Sequence, residues 1–322
     1  MGDYSFEEQH DYERGFSKVY DEKIAPYFRV MEGKRQEAVK ENKKWVLIVF
    51  SITLMITALT SFFISPWLGL FPFVFGGAAT IFVFSMRGGH LKQEMNSHIR
   101  PILCDFLGGM RIQDKPAPEA FSMAALRDLN VLPKADRSNL GPAISGRWRD
   151  VSYLLVKAHL EEEYRDSDND RRRRTVFRGI VLSIECPTEM PEIVFLADYG
   201  ETVNKLFAWA ARQNRPDQKL TFPDPEFEKV FEVYTDDLDR AQKLLDPSFG
   251  QKLLEFSKDY QGGKHHVSAA FKAKRFYMAL DLAHDFMNFD VINRPLSEAN
   301  DKIHSALADL IIPRRIIDTL LS

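Results

Sequence analysis

The sequence predicts an α+β cytoplasmic domain joined to a two-helix transmembrane hairpin by an amphipathic helical stalk. Three observations carry that prediction. The first is a window of 42 residues, Trp45 to Met86, without a single Asp, Glu, Lys or Arg, in a 322-residue chain that is 28% charged. At that frequency a window of this size would hold about a dozen charges. The second is a pair of apolar stripes with helical spacing, one on each side of the window. The third is a change to strand-like alternation in the later part of the chain, with helices between strand pairs. The window excludes a purely soluble protein, and the lack of a second such window excludes a multi-span transporter.

Residues 1–44 are expected to form a cytoplasmic amphipathic helix, running from about residue 5 into the window. Phe16, Val19, Tyr20, Tyr27 and Met31 fall three or four apart except around Pro26, which predicts a kink. Residues 45–86 are too long for one span. As a single helix they would reach roughly 63 Å, about twice the ~30 Å hydrocarbon core. Ser65-Pro66-Trp67-Leu68-Gly69 supplies a turn, so the spans are about Trp45 to Ile64 and Leu68 to Met86. Lys34, Arg35, Lys40, Lys43 and Lys44 precede the window, and Arg87, Lys92 and Arg100 follow it. Positive-inside bias therefore predicts a two-pass protein with both termini in the cytoplasm. Residues 1–44 hold 9 basic and 10 acidic groups, unlike a signal peptide, so the first span is expected to act as an uncleaved insertion signal.

Residues 87–112 are read as the return helix of the stalk, with Leu91, Met95, Ile99, Ile102 and Phe106 forming its stripe. Residues 113–146 carry Pro116, Pro118, Pro133, Gly141, Pro142 and Gly146, which predicts a linker holding a short helix near Phe121 to Leu129. Residues 147–322 are the expected α+β domain. Its predicted strands are Val151–Val156, Thr175–Ile184, Glu192–Leu196, Phe227–Tyr234, His266–Phe271 and Phe276–Leu282, the last two joined at Lys272 to Lys274. Its predicted helices are Glu201–Arg212, Asp237–Leu245, Pro247–Lys258 and Ser297–Ile312.

The sequence lacks the local signatures of a nucleophile elbow, a phosphate-binding P-loop, a dinucleotide site or a zinc peptidase. His265 and His266 are adjacent, so on a strand they face opposite sides and cannot chelate together. Cys104 and Cys186 are the only cysteines and suggest buried thiols in a reducing compartment. No cofactor is expected. Arg171, Arg172, Arg173 and Arg174 form the one run that suggests a ligand, the headgroups of anionic lipids. Six acids between Glu161 and Asp170 largely neutralise it, which favours a solvated hairpin. Nucleic acid is not an expected partner, because residues after 112 carry 30 basic against 34 acidic side chains. Tyr20, Tyr27 and Met31 are the candidate contacts for a partner, since two stalk helices cover only part of such stripes.

The chain resembles a bacterial membrane-protein family known only as domain of unknown function 3137. The resemblance is most specific at Phe227 to Tyr234 (FEKVFEVY), Asp237, Ala241, Leu245-Asp246-Pro247, Phe249 and Leu253, and also covers Phe177-Arg178-Gly179-Ile180. The family's pattern is more aromatic after Ala241 than the Gln242-Lys243-Leu244 found here. The resemblance implies an inner-membrane protein and a LemA-type membrane protein as a partner, and it implies no active site. Two functional classes follow: a membrane-anchored adaptor or assembly protein working through protein association, and a membrane-bound enzyme whose site no motif reveals.

Overall fold

The structure is a computed structural model; it describes residues 4–63, 89–118, 120–197, 216–246, 248–260, 267–289 and 294–320. The chain divides into two units: Met1–Phe106 with Met287–Ala308, and Leu107–Phe286 with Asp309–Ser322.

The first unit is helical. Regular helix begins at Phe16 and not near residue 5, because Gly15 takes φ 86° and turns the chain. The Glu8 carboxylate accepts hydrogen bonds from the Gly15 and Ser17 amides, each at 2.9 Å, which satisfies donors at the helix start. Helix α1 (Phe16–Val19) passes through a π-turn (Tyr20–Ile24) into α2 (Ala25–Phe63). In that turn the Ala25 amide donates to the Tyr20 carbonyl, a wider step just before Pro26, which has no N–H to give. The expected irregularity at Pro26 thus takes the form of a π-turn. Residues 89–106 form helix α3.

The second unit is a seven-stranded sheet in which every pairing is antiparallel. Its strands are β1 (Arg111–Gln113), β2 (Arg137–Trp148), β3 (Val151–Arg165), β4 (Arg171–Ala197), β5 (Gln218–Leu220), β6 (Phe231–Thr235) and β7 (Val267–Asp281). The order is β1-β2-β3-β4-β6-β5, with β7 along the other side of β4. Short helices α4 (Met123–Asp128), α5 (Pro225–Glu228) and α6 (Leu238–Leu244) and the longer α7 (Phe249–Tyr260) complete the α+β arrangement. Helix α8 (Asn300–Leu320) gives the first unit its residues up to Ala308 and the second unit the rest.

Four expectations change here. Residues 137–146, expected in a linker, are strand: Pro142 sits at a register shift between Leu140 and Ala143, the bulge position that a strand proline requires. Thr175–Ile184 and Glu192–Leu196 are parts of one strand, β4, and the turn expected at Lys272 to Lys274 is a bend within β7. Ala273 takes φ 53° there, opposite Met190, where β4 also shifts register. The two long strands bend together, which brings Phe271 and Phe276 within 4.7 Å of each other and both against Phe249. The fourth change is at Phe227. Asp224 caps a helical turn by accepting from the Glu226 amide, Pro225 fits its first position, and the strand begins only at Phe231. The predicted helix at Glu201–Arg212 and the histidines at 265 and 266 lie outside the described residues.

Candidate functional site

From Trp45 onwards α2 carries apolar side chains that the protein leaves uncovered. Leu47 is 69% exposed, Phe50 56%, Leu54 56% and Phe62 83%. Among the described residues this is the one helix long and apolar enough to cross a membrane. Trp45 to Phe62 rises about 26 Å at 1.5 Å per residue, close to a ~30 Å hydrocarbon layer. Two of its hydroxyls, those of Thr53 and Thr60, suit such a medium. Thr53 donates to the Val49 carbonyl at 2.7 Å and Thr60 to the Ile56 carbonyl at 2.9 Å, so neither leaves a bare donor. The expected second span, Leu68 to Met86, lies outside the described residues.

Below that belt, helices α2 and α3 cover each other's stripes. The Tyr27 ring stacks on His98 at 3.9 Å, and its hydroxyl donates to the Glu94 carbonyl at 3.2 Å. Burial, then the Glu94 charge, pushes the Tyr27 phenol up to about 12. Phe16 meets Phe106 edge-on at 4.9 Å. The start of α8 adds a third helix to this core, which the stripes alone did not reveal: His304 pairs with Glu13 at 2.7 Å and stacks on Phe6. Tyr20 and Met31 are therefore 0% and 1% exposed. Of the three residues expected to contact a partner, Tyr20 and Met31 are thus packed among the chain's own helices. Tyr27 is half-buried and already engaged by α3.

The run Arg171 to Arg174 opens β4 at the tip of the β3–β4 hairpin, where all four arginines are exposed. Cross-strand register sets Arg174 against Glu162 and Arg173 against Glu163. The resulting ion pairs measure 2.7 Å for Arg174–Glu162 and 3.5 Å for Arg173–Glu163, and Arg172 reaches back to Asp166 at 2.7 Å. The acids that the sequence placed nearby are thus the partners of three of the four arginines.

Both thiols are buried and chemically quiet. Burial pushes Cys104 up to about 12 and Cys186 up to about 11, so neither is a thiolate at neutral pH. Among the described residues no three His, Cys, Asp or Glu side chains gather as metal ligands would. Polar pairs that sequence reasoning missed join residues far apart in the chain. His284 Nε2 lies 2.8 Å from the nearly buried Asp309 carboxylate, and Lys157 and Arg178 flank Asp285. No local spacing signals contacts of that kind.

The architecture therefore defines a class: an antiparallel α+β sheet unit in a chain whose helical unit carries an exposed apolar belt. Residues 175–321, from β4 to the end of α8, match the family model described as Protein of unknown function (DUF3137). The resemblance read from Phe177–Ile180 and from Phe227 to Leu253 falls inside that stretch. No curated protein and no solved structure matches the chain.

Proposed function

We propose that the protein is an adaptor or assembly protein of a bacterial inner membrane, held by a two-pass hairpin with both termini in the cytoplasm. The observation that carries the reading is the uncovered belt from Trp45 to Phe62, preceded by the exposed Lys40, Lys43 and Lys44. Apolar surface of that extent is costly in water and favourable in lipid, and the lysines suit the cytoplasmic side. The α+β unit then works by associating with another protein, for which the family resemblance suggests a LemA-type membrane protein, or with a second copy.

Reporter fusions after Lys92 and at Ser322 test the topology: both report cytoplasm, and a periplasmic signal at Ser322 overturns the two-pass arrangement. In-cell cross-linking of the full-length protein tests the association. A discrete complex of fixed stoichiometry is expected, and recovery of the monomer alone overturns the adaptor reading.

A further inference from the structure

The corner where β2 turns into β3 packs against Arg314 of α8, an arginine with no carboxylate partner among the described residues. The turn residues Arg149 and Asp150 take φ 46° and 64°, left-handed values rarely seen outside glycine, asparagine and aspartate. Trp148, just before the turn, donates its indole N–H to Asp318 Oδ1 at 2.8 Å, and Arg149 Nε lies 3.0 Å from the same oxygen. One turn earlier on α8, the Arg314 guanidinium lies 4.4 Å above the Trp148 ring. Its Nε is buried and has no hydrogen-bond partner, and no carboxylate pairs with it among the described residues. Asp318 is occupied by Trp148 and Arg149.

The neighbouring backbone leaves room for the guanidinium. Gly108 and Gly109 take φ 103° and 67°, and a Cβ on Gly108 would come within 3.1 Å of Arg314 Nη2. A Cβ there would require the guanidinium to give way by a few tenths of an ångström. Arg149 is exposed and shares Asp318 with the Trp148 indole. A buried charged donor left unpaired is costly, whereas a guanidinium held over an indole can offer its two Nη groups to a two-oxygen acceptor.

We propose that Arg314, held by Trp148 over Gly108 and completed by Arg149, is a binding site for a phosphate group. The oxygens of a tetrahedral phosphate take the Arg314 fork in bidentate fashion and accept from the outward side of Arg149. The same chemistry is offered by free inorganic phosphate and by the phosphomonoester headgroup of phosphatidic acid. The site stands independently of the adaptor reading.

The test uses full-length protein in uncharged detergent at low salt, titrated calorimetrically with inorganic phosphate and, separately, with dihexanoyl phosphatidic acid. Saturable binding of at least one probe is expected, weakened roughly tenfold or more by Arg314→Gln and less by Arg314→Lys. Binding of phosphate assigns the free anion; binding of the lipid alone assigns the headgroup. The melting temperature of Arg314→Gln is expected to stay close to that of the wild type, since the substitution removes a buried unpaired donor together with the stack on Trp148. Replacing Arg171 to Arg174 by Ser is expected to leave binding unchanged. The proposal is overturned if neither probe saturates, if Arg314→Gln binds as the wild type does, or if the hairpin variant loses as much. A destabilised Arg314→Gln is decided by Arg314→Lys: a lysine variant that is stable and binds without loss also overturns the site.

Discussion

Substituting Glu32 by Gln tests how the helical unit is held together. Glu32 lies on α2 and accepts a hydrogen bond at 3.0 Å from the Leu296 amide, which begins the short helical turn Leu296–Glu298. The same carboxylate takes Arg35 through Nε at 2.9 Å and Nη2 at 2.6 Å, and Gln36 at 2.9 Å. A glutamine has one acceptor oxygen, so its NH2 would have to face either Arg35 or the Leu296 N–H, both donors. Losing a charge-assisted bond and stranding a donor costs about 2 kcal/mol. The hydrogen bonds from Arg35, and secondarily the Leu296 amide, hold the Glu32 carboxyl at about 2 against an ordinary 4.5. By linkage that displacement corresponds to about 3 kcal/mol, and partial solvent screening brings it towards about 2 kcal/mol. Because the folded value is depressed, this stability is fully present above pH 4.5 and is lost as the pH falls towards about 2. Hydrogen exchange at the Leu296 amide, in full-length protein in uncharged detergent, is expected to be roughly thirtyfold faster in Glu32→Gln at neutral pH. The variant should also lack the wild type's loss of stability between pH 4.5 and pH 3. Equal exchange and an equal acid slope in both proteins would refute the reasoning.

Three further outcomes follow from the geometry. Gly179→Ala places a Cβ 1.9 Å from the Leu280 carbonyl oxygen, so β4 and β7 must part there. A loss of about 4 kcal/mol or more is expected by denaturant unfolding, and a variant as stable as the wild type would contradict the register. Cys104 and Cys186 should resist iodoacetamide at pH 8 in the native protein and react once it is denatured, as followed by mass spectrometry. Arg172→Ser and Arg174→Ser should each cost under about 1 kcal/mol in thermal unfolding, because their ion pairs are exposed.

What the sequence revealed depended on range. The apolar window and the α2 and α3 stripes are local patterns, and the belt and the Tyr27–His98 packing follow them. Helix α6 was equally legible, because Asp237 accepts from the Arg240 amide as the helix cap its position suggests. Alternation located segments of β4 and β7 but not their continuity, since a bulge resets the period of two and resembles a turn. Pro187, Pro191 and the exposed Lys272 to Arg275 reinforced that resemblance. Pro313 would ordinarily end a helix, yet α8 runs through it to Leu320. The third helix of the stalk core and the Arg314–Trp148 stack were not legible, because each joins residues more than a hundred positions apart.

The central claim is that the belt on α2 anchors the protein in a bilayer. Alkaline carbonate washing of membranes from cells expressing the full chain tests it most directly, alongside a Leu54→Lys, Leu59→Lys variant. Leu54 is 56% and Leu59 50% exposed, and each lysine costs roughly 2.5–3.5 kcal/mol near the middle of a span. The account predicts that the wild type stays in the membrane pellet and that the double variant is largely released. Release of the wild type would contradict it, as would a double variant retained as fully as the wild type.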